Sequence, residues 1–540
     1  MSDRVLIYDT TLRDGVQGAG VSFSLPDKLR VAQKLDQFGI DYVEGGWPGS
    51  NPKDVIFFER ILDAPVNHSK IAAFGSTRRA NISADDDANL KQLVAAKTPV
   101  ATIFGKSWMF HVSEVLRTTA EENLLMIGDS VAYLKAHVDE VIYDAEHFFD
   151  GYKDDPEYAL KTLRSAVESG SDWLVLCDTN GGSLPEEISE ITAAVTKQFS
   201  EKCSIGIHSH NDGGLGVANA LAAVQSGARQ VQGTVNGYGE RTGNADLCSV
   251  LPNLKLKLGF SVLGDDAKLR ELTSVSRTIS ELANLEPDER LPYVGVNSFT
   301  HKGGTHVNAM LKTTRSFEHI EPEEVGNRRR YLVSELSGKS NLLQKSEELG
   351  FEFSGTQGET EQILDQLKKL EFQGYEFEDA DASFELLVQR SQGIEPQYFE
   401  TRNYEVHVRC EEGESTSAAA QVKIRVGERE VIEEAEGAGP VSALDNALRK
   451  ALISFYPSIE NMKLIDYKVR ILERERGTAA KPRVIITSRS GTSTWNTVGV
   501  SYDILEASWQ ALVDSYVYGL INTGVSEQEN MKKDSVRLNL

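Results

Sequence analysis

Two histidines two residues apart, His208 and His210, stand in the segment SIGIHSHND. On a strand such a pair points to one side, and imidazoles beside a carboxylate make a site for a divalent metal. The candidate carboxylate is Asp14 in DTTLRDG, and Asn244 in NGYGERTGN adds an amide oxygen. Three or four ligands leave positions open for a substrate, the arrangement of a catalytic metal. The plainer alternative is a hydrogen-bonded histidine pair without an ion. Arg13 adjoins Asp14. A guanidinium there can hold a carboxylate or carbonyl and neutralise an enolate as charge develops. It can equally pair with a rim acid such as Glu44 or Glu146. Thr179 can donate to a carboxylate or cap a turn. Glu146 can orient or relay a proton, or pair with Arg13. His306, in HKGGTHVNAM, can serve as a general base near neutral pH. His301 competes with it, and taken alone each reads as an ordinary loop residue.

These residues need elements that bring them together. Short apolar runs recur at VLIYD, DYVEGG, KIAAFG, VATIFG, EVIYDAE, DWLVLCDT, SIGIHSH and ARQVQGTV. Near-continuous apolar strands are expected where both sheet faces are buried. Amphipathic stretches such as PDKLRVAQKLDQFG and ADDDANLKQLVAA lie between them, with helical period and an N-terminal Pro or Asp bias. Eight such units over about 250 residues predict a (β/α)8 TIM barrel spanning 1–270. An open doubly wound sheet fits less well, because no Gly-rich fingerprint follows the first run. DTTLRDG, EGGWPGS, EHFFD, DTNGG, HSHND and NGYGERTGN all follow strand ends. A closed barrel gathers them on one rim, where barrel active sites form.

Residues 271–400 read as helical linker subdomains reaching over the site, interrupted by FTHKGGTHVNAM. From about Tyr404 the pattern alternates (YEVHVRC, AAQVKIRVG, LIDYKVRILE, PRVIITSRS), with two helices, PVSALDNALRKALISFY and ILEASWQALVDSYVYGLI. This predicts a C-terminal α+β domain over 401–525 and a tail at 526–540. No strong sequence repeat is visible.

The chain has 540 residues, a net charge of −24 and 40% hydrophobic residues. That is several domains' worth of globular protein. The acidic balance argues against a nucleic-acid binder, which needs a basic footprint. Four scattered cysteines, with no CxxC, suggest neither a structural zinc site nor a disulfide scaffold. No apolar run approaches a membrane span of roughly 18–20 residues, and no secretory leader is evident. The expectation is a cytoplasmic protein.

DTTLRDG, HSHNDGGLGVANALAAVQSGA and NGYGERTGNADL resemble the DRE-TIM metallolyase superfamily, and more narrowly the 2-isopropylmalate, homocitrate and citramalate synthases. HKGGTHVNAM, SELSGKSN (334–341) and GAGPVSALDNAL (437–448) extend the resemblance over nearly the whole chain. VEGGWPGSNPKD and VGNRRRYLVSELSGKSN look most like the citramalate branch. The resemblance implies a Claisen condensation of acetyl-CoA with a 2-oxoacid, pyruvate in the citramalate branch, on the way to isoleucine. It implies Asp14, His208, His210 and Asn244 around a divalent ion (Mn, Mg or Zn), Arg13 stabilising the oxyanion, Thr179 holding the oxoacid carboxylate and Glu146 in the substrate site. By family position His306, not His301, is the base. It further implies a homodimer and isoleucine as an effector at the C-terminal domain. Two features depart from the family pattern. Asn308 stands where several synthases orient this histidine with Asp, and an amide cannot stabilise imidazolium as a carboxylate does. A tyrosine that relatives place about ten residues after this histidine is not evident. The neighbouring readings are a synthase with a bulkier acceptor, a carbon–carbon lyase, and a non-catalytic amino-acid-binding regulator.

Overall fold

The computed structural model describes residues 4–333, 339–349, 356–394, 398–410, 417–472 and 474–523. Most of the SELSGKSN stretch and the tail lie outside them. The chain divides into two compact units, 1–299 with 318–329, and 300–317 with 330–540.

The first unit is a closed barrel of eight parallel strands in sequence order. They are β1 (Leu6–Asp9), β2 (Tyr42–Gly46), β3 (Lys70–Ser76), β4 (Val100–Lys106), β5 (Glu140–Glu146), β6 (Trp173–Asp178), β7 (Ser204–Ser209) and β8 (Gln230–Gly233). β1 closes the ring by pairing Leu6–Asp9 with Gln230–Gly233. Each strand lies within two residues of the apolar run that predicted it. The helices α1 (Leu25–Phe38), α2 (Pro52–Ile61), α3 (Ala88–Ala95), α4 (Ala120–Lys135), α5 (Phe148–Asp154), α6 (Pro156–Glu168), α7 (Pro185–Phe199) and α8 (Gly216–Gln225) surround them, with α9 (Leu247–Pro252) and α10 (Leu272–Leu282) following.

The punctuation of the sequence sets the helix ends. Ser24 and Asp27 form a reciprocal capping box on α1, Pro26 occupies its first turn, and Gly39 ends it at φ 98°; the left-handed cap costs glycine little. α3 starts later than its acidic run suggests. Ala84–Asp86 form a separate 3-10 turn, and the Asp87 carboxylate caps Asn89 and Leu90.

Alternation along each strand divides the core. Ile7, Val43, Val141 and Leu174 face outward into the apolar layer under the helices. Tyr8, Tyr42, Val100, Ile142, Trp173, Val175 and Cys177 fill the barrel interior. Glu140 accepts hydrogen bonds from the Tyr42 hydroxyl (2.7 Å) and the Trp173 indole (2.8 Å), closing the floor. Above this plug the interior turns polar, with Glu44, Thr102, Asp144, His208 and Gln232 all buried.

The second unit contains β9 (Thr300–His301) paired with β10 (Arg330–Tyr331), and the helices α11 (Gly304–Met310), α12 (Lys339–Leu349), α13 (Gln357–Gln373) and α14 (Asp381–Ser391). Gly374, at φ 107°, ends α13 and divides the long helical stretch in two. Then β11 (Glu400–Arg409), β12 (Ser417–Val426) and β13 (Arg429–Gly437) form an antiparallel sheet followed by α15 (Pro440–Ile453). A second sheet, β14 (Met462–Ile471), β15 (Pro482–Ser490) and β16 (Ser493–Val500), is followed by α16 (Ile504–Asn522). The C-terminal α+β region is therefore a βββα module built twice, a structural repeat that the sequences of its halves do not display. In GAGP, a Cβ at Gly437 would lie 2.3 Å from the Ala443 nitrogen. The glycine lets the start of α15 lie against the end of β13. Among the described residues no helix is long and apolar enough to cross a membrane.

Candidate metal centre and active site

The turn after β1 delivers Asp14, which is 2% exposed, to the mouth of the barrel. His208 ends the inward row of β7, and His210 lies one bridge beyond it, opposite Asn244. Asp14 Oδ2 lies 3.2 Å from His208 Nε2 and 3.9 Å from His210 Nε2. The two Nε2 atoms are 3.3 Å apart. Among the described residues this is the one group of three His, Cys, Asp or Glu side chains with ligand atoms this close together. The Asn244 amide nitrogen donates to Asp14 Oδ2 at 2.9 Å, while its buried Oδ1 has no partner. A half-turn of that amide would present the orphaned oxygen to the same point.

These donors suit a divalent cation. Gln232 Oε1 lies 2.9 Å from His208 Nδ1, so Nδ1 carries the proton and Nε2 keeps its lone pair for the centre. Gln232 in turn donates to Asp144 at 3.0 Å. Burial works to raise the Asp14 carboxyl, but the charge of Arg13 and then the His208 contact outweigh it, holding Asp14 well below the carboxylate range. Burial also opposes charge on His208, where Asp14 prevails and raises the ring. Burial, then the charge of His208, pushes His210 down to about 4. His210 is thus neutral near pH 7, the form that binds a metal.

Arg13 is fixed from three sides. Its Nε donates to Glu44 Oε2 at 2.6 Å, and its Nη1 lies 3.5 Å from Asp14 Oδ2. Its guanidinium carbon sits 3.7 Å over the Phe74 ring. Of the ion-pair partners weighed for Arg13, Glu44 is the one it has. Glu146 pairs with Lys106 on the neighbouring strand. Thr179 accepts the His147 main-chain N–H at 2.9 Å, and its own hydroxyl donates to nothing among the described residues. Burial, then the charges of Asp144 and Glu146, pushes the Cys177 thiol inside the barrel well up.

His306 belongs to the second unit. It lies on α11, exposed, with its ring stacked on Phe317 at 4.2 Å. No hydrogen bond joins it to Asn308. His301, on β9, has its ring 6.1 Å from Tyr331. Sequence reasoning missed Gln232, Asp144, Lys106 and Phe74. The polar residues among them carried a signal, since a charge or amide inside a strand buried on both faces requires a partner.

The model of the HMGL-like family matches residues 4–279, that of the homocitrate synthase post-HMGL domain-like family 293–374, and that of the LeuA allosteric (dimerisation) domain 378–520. The chain is 52% identical to an (R)-citramalate synthase of Aquifex aeolicus, over 96% of this chain and 98% of that protein. It belongs to the citramalate synthase family. A second (R)-citramalate synthase, of Geobacter sulfurreducens, is 52% identical over 98% of this chain and 99% of its own length. A 2-isopropylmalate synthase of Pseudoalteromonas atlantica is 29% identical over 99% and 98%. The chain thus shares more identical positions with these two (R)-citramalate synthases than with that 2-isopropylmalate synthase.

Proposed function

We propose that the chain condenses acetyl-CoA with pyruvate to give (R)-citramalate and free CoA, a step toward isoleucine. The observation that carries this reading is the 52% identity to (R)-citramalate synthases over nearly full length. The buried Asp14, His208 and His210 cluster supports it.

In this proposal Asp14, His208 and His210 hold a divalent ion, with Asn244 as a further ligand after its amide turns. Bound there, a divalent ion supplies Lewis acidity to the carbonyl of the oxoacid. The other steps belong to side chains. Gln232 keeps the His208 proton on Nδ1. Arg13, anchored by Glu44 and Phe74, presents its remaining N–H groups to the oxyanion that forms when the ketone is attacked. Thr179 donates its hydroxyl proton to the substrate carboxylate. Glu146, held by Lys106, orients the acetyl group. His306 is the proposed acceptor of the methyl proton, without the acidic partner that strengthens such a base. The thioester is then hydrolysed and CoA leaves. Manganese, magnesium and zinc all suit an N/O donor set. The LeuA dimerisation domain carries the proposals of a homodimer and of an isoleucine effector, and the protein is proposed to be cytoplasmic.

The test is thiol release from acetyl-CoA with a panel of 2-oxoacids, each with and without a chelator. Pyruvate-selective, chelator-sensitive release with citramalate as product is expected. Preference for a branched oxoacid would move the chain to a sister synthase. No release by folded, metal-loaded protein would defeat the synthase reading.

A further inference from the structure

The residue after Glu146 has an unusual backbone. His147 sits at φ 54° and ψ 34°, a left-handed conformation that non-glycine residues adopt sparingly and that clusters at working sites. The residue is 7% exposed and lies between two rim loops. On one side its ring packs on His111, with centroids 4.1 Å apart. On the other, its Nδ1 lies 3.3 Å from Asp150, whose carboxylate also accepts the Asn180 amide at 3.0 Å. The left-handed turn aims the His147 main-chain N–H at Thr179 Oγ1, 2.9 Å away. The Thr179 carbonyl is held independently by Arg241 at 2.8 Å.

A hydroxyl has one proton to give and two lone pairs to receive. When the His147 N–H occupies a lone pair, the Thr179 proton turns away from it and is left to donate. Such a hydroxyl is set to meet an anion. We propose that His147 is a positioning residue: its left-handed backbone aims the main-chain N–H that fixes Thr179 as a donor to the carboxylate of the 2-oxoacid. This rests on the reading of Thr179 given above.

The backbone and the ring can be separated by substitution. Neither His147→Val nor His147→Gly keeps an imidazole, but only glycine enters the left-handed region freely, and a β-branched residue there is an outlier. Steady-state kinetics on metal-loaded protein is the measurement. Losing a hydrogen bond to a charged group costs roughly tenfold or more in binding. His147→Val is therefore expected to raise the pyruvate KM roughly tenfold, with much less effect on the acetyl-CoA KM. His147→Gly should recover most of that loss. Thr179→Ala should raise the pyruvate KM by itself, and His147→Val added to it should do little more. If the valine protein does not fold, His147→Ala takes its place. Three outcomes would overturn the inference: a folded valine or alanine variant with unchanged pyruvate KM, glycine as damaging as valine or alanine, or additive effects in the double variant. Should Thr179→Ala leave the pyruvate KM unchanged, the Thr179 reading fails, and the positioning role with it.

Discussion

Asp144 shows how the site depends on groups that no motif marks. It is 3% exposed and reaches His208 through Gln232. Burial, only partly offset by His208, raises its pKa to about 7. A carboxyl raised in the folded state favours folding below its unfolded pKa, and that contribution is lost as pH rises through the folded value. In metal-free protein, Asp144→Asn should therefore match the wild type near pH 4 and become the more stable of the two toward pH 8. The melting-temperature difference between the two proteins should grow across that window and then level off. A difference independent of pH would mean that Asp144 is not the titrating group. Glu44→Gln removes the carboxylate hydrogen-bonded to Arg13 Nε and leaves Asp14, 3.5 Å from Nη1, as the remaining anion beside it; breaking a buried pair costs about 3–5 kcal/mol. Urea unfolding should show a loss of that order. At this scale the sequence was readable where residue types are rare. The HxH pair and the RDG acid meet as expected. Gln232 was readable only as a buried amide in need of a partner, and Phe74 not at all as a site residue, because a phenyl ring takes its meaning from a neighbour far along the chain.

Elements were more legible than their contacts. The strands of the barrel follow from apolar runs buried on both faces, and prolines and cap residues mark the helix starts. β13 and β16 escaped the sequence reading. REVIEEAEG is dominated by glutamate, which strands disfavour, yet its side chains alternate between exposed and half-buried and the strand pairs along its whole length with β12. The doubled βββα plan is likewise carried by pairing rather than by letters. One element junction makes a direct prediction. Gly437→Ala drives a methyl group into the first turn of α15, where overpacking typically costs about 1–3 kcal/mol. Calorimetry should show the C-terminal region melting earlier, with the barrel transition unmoved. An unchanged thermogram would show that the turn relaxes freely.

For the whole molecule, two units divide the chain, and the residues proposed for chemistry are divided as well. Arg13, Asp14, Glu146, Thr179, His208, His210 and Asn244 belong to the first, and His306 to the second. If the LeuA dimerisation domain assembles this chain, sedimentation should give twice the chain mass, and Asp14→Ala, which touches only the barrel, should leave that mass unchanged while abolishing metal retention. A monomer in both cases would separate the domain's likeness from its assembly. The floor of the barrel has a consequence for traffic. Tyr42, Trp173 and Glu140 close it, which leaves the rim that carries Asp14 and the histidines as the way in for a substrate. Whatever settles deepest must enter first and depart last. If, as proposed, the oxoacid sits against Asp14 and the histidines, the bulky thioester should follow it as a stopper and free CoA should exit ahead of the acid product. Product-inhibition patterns should then be those of a compulsory order, and a random order would reveal a second way in.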